Sequence, residues 1–78
     1  MPRFFFHVED GATFLDADGI DFPDLKAARD EAIRATGEML RETPNAIHRG
    51  DPLRMWVTDQ PRGEGAKLFA LTVAAEDG

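Results

Sequence analysis

The chain has 78 residues with nine basic and fifteen acidic side chains, a net charge of -6, and is 42% hydrophobic and 31% charged. That describes one soluble domain with a thin core, and an acidic surface lacking any local Lys/Arg cluster disfavours nucleic acid as a partner. Cys, Ser and Tyr do not occur, which removes disulfides, thiolate metal sites and Cys or Ser nucleophiles.

The first predicted element is a strand over Arg3–Glu9, containing Phe4, Phe5 and Phe6 in succession. Strand side chains alternate between faces, so Phe4, Phe6 and Val8 point one way while Phe5 and His7 point the other. Asp10-Gly11 then predicts a tight turn, because Gly accepts positive φ and Asp bonds its neighbouring backbone. A second strand is expected over Ala12–Leu15. After a turn at Asp16-Ala17-Asp18-Gly19, Ile20-Asp21-Phe22 resumes the apolar alternation as a short extension of that strand.

A helix is predicted over residues 24–42, with Asp24 as N-cap and Pro44 ending the pattern. At 100° per residue, Leu25, Ala28, Ala32, Ile33, Ala35, Thr36, Met39 and Leu40 fall within an arc of about 160°. Asp30, Glu31, Arg34, Glu38, Arg41 and Glu42 lie opposite, with Asp30 and Arg34 at the spacing of a favourable i,i+4 pair. Arg29 falls inside the apolar arc, its stem expected to pack while its head reaches the rim. Gly37, at the arc's edge, either weakens the helix or admits a close neighbour.

Residues 43–53 read as a Pro/Gly loop pinned by Ile47 and Leu53. Arg54–Thr58 alternates again, leaving open whether Met55 and Val57 or Trp56 face the helix. A polar connection over residues 59–65 leads to a last strand from Lys67 to about Ala75, with residues 76–78 frayed. The apolar run at the N-terminus stops at Val8 and the longest, Leu68–Ala75, is too short for a bilayer, so the expectation is a cytoplasmic protein with no membrane association.

The fold class is thus α+β in the order β-β-α-β-β, a four-stranded, mainly antiparallel sheet with the helix on one face, residues 1–78 making a single domain. Several groups of residues carry a resemblance. They are the opening Met1-Pro2-Arg3-Phe4-Phe5-Phe6-His7-Val8, the Asp10-Gly11 and Asp18-Gly19 turns, and Pro23-Asp24-Leu25 with Ala27-Ala28-Arg29 and Glu31-Ala32. With Val57-Thr58-Asp59, they resemble a family of short bacterial proteins of unknown function beginning M-P-x-[FY]-[FY]-F-H. The resemblance implies no activity, cofactor or catalytic residue. The Asp10-Gly11 hairpin, Phe22-Pro23-Asp24-Leu25 and the Ala-rich helix also resemble HicB-type antitoxins, implying a regulator that binds a toxin. The segment between turn and helix is short for that group, and no DNA-binding tail follows.

Motif chemistry is sparse. Asp16-x-Asp18-Gly19-x-Asp21 fails the calcium-loop spacing, since Gly arrives at position 4 and position 12 is Ala27, so Asx-turn bonding accounts for it better. Glu9, Asp10, Asp16 and Asp18 are acids of exposed turns, without the burial that tunes catalytic carboxylates. His48 lies in the loop with no metal-ligand spacing, and Gly63-Glu64-Gly65 lacks a dinucleotide fingerprint. No catalytic residue, cofactor or metal is expected, and no enzymatic activity.

The sheet face opposite the helix stands apart. Phe5, His7, Trp56, Leu68 and Ala70 make it more apolar than a lone domain usually exposes. It is the candidate interaction surface, covered either by a partner or by the chain's own loop at 43–53 or C-terminus. The functional expectation is an interaction module, self-associating as a homodimer through this face or an edge strand, or binding a protein partner.

Overall fold

The computed structural model describes residues 1–42 and 51–76. In chain order it contains β1 (Arg3–Glu9), β2 (Thr13–Phe14), β3 (Ile20–Asp21), α1 (Leu25–Glu42), β4 (Leu53–Thr58) and β5 (Lys67–Val73), with a 3-10 turn at Pro61–Gly63. The class is α+β, and every strand pairing is antiparallel, in the order β2-β1-β4-β5 with β3 also on β1. β4 occupies one side of β1 along Phe5–Glu9. Both short strands therefore share the other side, β2 beside Val8 and Glu9, and β3 beside Arg3 and Phe4. The sheet has five strands rather than four because the turn interrupts the expected second strand. Asp16 Oδ1 accepts the N–H groups of Asp18 (3.0 Å) and Gly19 (3.2 Å), the Asx bonding read from the sequence, and these bonds draw the chain away from the ladder.

Asp24 caps α1, its Oδ1 accepting the Ala27 N–H at 2.9 Å. The covered stripe is narrower than the sequence arc. Ala28, Ala32 and Thr36 are buried, while Leu25 and Ile33 at its margins are exposed. Alanines let the helix approach the sheet closely, and a close approach covers only the centre of the stripe. The expected Asp30–Arg34 pair is not made. Lys26 reaches Asp30 at 2.9 Å, and Arg34 lies between Glu31 (2.6 Å) and Glu38 (2.8 Å), spacings the helix permits equally. Arg29 is exposed. No atom would lie within 4 Å of a Cβ at Gly37, so this glycine admits no close neighbour and only weakens the helix.

The core cluster joins Phe4, Met55 and Val57 to Ala28 and Ala32, flanked by Phe6, Val8, Phe22, Phe69 and Leu71. Phe22 meets Phe6 edge-on with ring centres 5.9 Å apart. Opposed residues of an antiparallel pair share a face. Phe6 opposite Val57 and Val8 opposite Met55 therefore face the helix, while Phe5 opposite Thr58 and His7 opposite Trp56 face away. Trp56 is thus on the far side, and Met55 and Val57 supply the core. Of the expected 43–53 loop, residues 43–50, with Ile47 and His48, lie outside the described residues, as do 77 and 78 of the expected frayed end. Leu53 opens β4 instead of belonging to the loop, and is 1% exposed. No described helix is long and apolar enough to cross a membrane.

Candidate interaction surfaces

Phe5 and His7 face away from the helix as alternation requires, yet they are only 7% and 0% exposed. Of the two kinds of cover expected, by a partner or by the chain itself, these two residues have the second, though from segments other than those expected. Their cover comes from two segments of the same chain, the turn at residues 15–19 and the connection at residues 59–63. A Cβ at Gly19 would stand 2.7 Å from the Phe5 ring, so the backbone of that turn lies directly against it. The Arg62 N–H donates to the Asp16 carbonyl at 2.8 Å, joining the two segments above the sheet. The sequence reading missed this cover because both segments look like ordinary polar turns.

His7 holds the cover in place. Its Nδ1 accepts the Asp16 N–H at 3.0 Å, which leaves Nε2 as the protonated nitrogen. Nε2 donates to Thr58 Oγ1 at 2.8 Å, and that hydroxyl donates to the Gln60 carbonyl at 2.6 Å. One chain of bonds thus ties the first segment to the second through the imidazole. Trp56 packs beside the ring with centres 5.3 Å apart, and the Arg54 guanidinium lies 5.6 Å from the centre of the Trp56 ring. Burial pushes the His7 pKa down, partly opposed by the nearby Asp16 carboxylate. For Asp16, burial favours the neutral acid. Hydrogen bonds from the backbone of Phe6, Gly19 and Asp18, with the charge of His7, outweigh it and hold the carboxyl below its usual range.

Of the remaining residues of the expected surface, Leu68 packs against the core, beside a register irregularity at Val57/Thr58. Trp56 and Ala70 stay on the far face as direct ladder partners, the first half-buried and the second exposed. A second feature lies on the helix side. A groove of about 270 Å³ runs between α1 and the short strands, lined by Phe6, Phe14, Ile20, Ala35 and Met55 with Asp16 and Glu31. Phe14 and Ile20 are 62% and 48% exposed there. Two-residue strands carry these side chains beyond the reach of a narrow helix, a consequence invisible until the strand break is known. Among the described residues, no group of three or more His, Asp or Glu could hold a metal ion.

The two sheet edges differ sharply. Along the outer side of β1, β3 and β2 pair the ends, and between them Asp16 Oδ2 accepts the Phe6 N–H at 3.1 Å. The N–H at the middle of that edge is thereby taken. β5, at the other end of the order, pairs only with β4 among the described residues. Its seven residues include no Pro or Gly, and its single charge is Lys67 at the start. Proteins commonly protect such an edge with charges, proline, bulges or a covering segment.

These features define a small α+β domain with one sheet edge broken up around Asp16 and the other, β5, paired only with β4 among the described residues. The chain belongs to the family Domain of unknown function (DUF6894), whose model matches residues 3–74. No curated protein and no solved structure matches it.

Proposed function

We propose that this protein is a non-enzymatic interaction module that takes up a β-strand, its own or a partner protein's, along the outer edge of β5. The observation that carries this reading is the edge of Lys67–Val73, regular from Phe69 onward, which pairs only with β4 among the described residues, while Asp16 holds the Phe6 N–H on the opposite side of the sheet. Strand addition to such an edge supplies main-chain hydrogen bonds, and the alternate side chains supply selectivity. The far-face pair Trp56 and Ala70 adjoins the edge and widens the contact. A non-catalytic role is supported by His7, whose two ring nitrogens are both committed to structural bonds. No lone pair is left there for proton transfer to a substrate.

Light scattering from micromolar to millimolar protein tests the self-associating form of this reading. The wild type should exceed the monomer mass as concentration rises. A double Ala70→Lys/Thr72→Lys variant, carrying charges of the kind natural edges use, should stay monomeric with stability changed by no more than about 0.5 kcal/mol. Equal association of wild type and variant would place the contact elsewhere.

A further inference from the structure

We infer that the strand taken up by β5 is the β5 of a second copy, paired antiparallel about a twofold axis perpendicular to the sheet. The product is one continuous sheet across two subunits with both helices on the same side. This rests on the self-associating form of the reading above and deepens it, by naming the partner and the geometry.

Three observations point to a second copy. The first is the row Phe69, Leu71 and Val73, which faces the helix side yet is only half-buried, because α1 lies chiefly over β4 and reaches β5 only in part. Antiparallel pairing about that axis keeps the apolar row of each copy on the same face. Each row then lies against its own duplicate, and one contact completes both. Parallel pairing of two identical edges would turn the partner's row to the opposite face and leave both incomplete.

The second observation is closure. A sheet open at both edges could add copies head to tail without limit. Here the outer side of β1 is closed at its middle by the Asp16 carboxylate and broken into two-residue strands. Among the described strands only β5 can extend the sheet, so assembly stops at two copies. An edge of this length persists in a soluble chain when its pairing terminates itself.

The third is charge. The chain carries -6 overall, which opposes self-association, but residues 67–75 contain one charge, Lys67, and the next is Glu76. Antiparallel alignment brings each Lys67 to the end of the strand where the other copy carries Glu76. The interface therefore has little like-charge repulsion and an attractive pair at each end.

The absence of cysteine makes a distance measurement straightforward, since a single introduced Cys gives one nitroxide label per chain. Ala70→Cys places the label on β5, and Ala12→Cys places it beyond β2 at the far edge; both positions are exposed. With strands about 4.8 Å apart, the inferred dimer holds the Ala70 labels within about 20 Å and the Ala12 labels about 30 Å or more apart. A dimer with near Ala12 labels and distant Ala70 labels overturns the β5 pairing while leaving self-association intact. Sedimentation of the unlabelled protein is run alongside. A monomer at every concentration there overturns this inference and the self-associating reading together, leaving only uptake of a foreign strand.

Discussion

The outer side of β1 and the outer side of β5 solve the same physical problem in opposite ways. Each is a row of backbone groups at the rim of an antiparallel sheet. On β1 the row is occupied piecemeal by two two-residue strands and one carboxylate, Asp16, which replaces the missing strand at Phe6. On β5 nothing described occupies it. A side chain can therefore end a sheet as effectively as a strand, provided local bonds hold it rigidly. For Asp16 those bonds are its Asx contacts to Asp18 and Gly19 and its own N–H to His7. Among the described residues the β5 edge has no such side-chain acceptor, and the sequence of Lys67–Val73 supplies no carboxylate.

Breaking the protected edge should have the largest effect. Gly19 sits at φ 72°, and a Cβ there would stand 2.7 Å from the Phe5 ring and 2.9 Å from the Phe4 carbonyl oxygen. Gly19→Ala combines a disfavoured backbone conformation with a clash against backbone, and should destabilise the fold by about 2–4 kcal/mol in urea unfolding. A change under about 0.5 kcal/mol would mean that this turn does not press on β1.

Acid should loosen the same edge more gently. The folded His7 has a pKa below the ordinary 6.5, so the unfolded chain takes up its proton first. Stability from this group is complete above about pH 6.5 and falls as pH drops from there toward the folded value. Asp16, held below its ordinary 3.8, adds a further loss at lower pH. Both signs agree. Chemical denaturation from pH 7.5 to 5 should show stability declining with acid in the wild type. His7→Gln, less stable at pH 7.5, should lose most of the slope. An undiminished slope in that variant would assign the acid response to other groups.

How much of this was legible in the sequence follows from the range of each interaction. β1, the Asp24 cap and the Asx turn at Asp16 depend on neighbours a few residues apart, and all three were readable. The split of the second strand was not, because it needs the competition between Asp16 bonding its own turn and the chain continuing a ladder. The narrowing of the helix stripe, with Ile33 left outside, follows from a helix-to-sheet approach that no periodicity encodes. The fate of Phe5 and His7 was half legible. Alternation set their face correctly, but their cover by residues 15–19 and 59–63 joins segments more than 40 residues apart through Arg62 and Asp16. The status of β5 as an edge likewise required the strand order.

Hydrogen exchange, read amide by amide, tests the contrast between the edges most directly. In dilute protein the Phe6 amide should exchange slowly because Asp16 holds it, and the outward-facing amides of β5 should exchange fast. Raising the concentration should slow the β5 amides and leave Phe6 unchanged, while Asp16→Ala should release the Phe6, Asp18 and Gly19 amides and leave those of β5 as they were. Outward β5 amides that stay fast at every concentration, or that are already slow in the dilute monomer, would contradict the account.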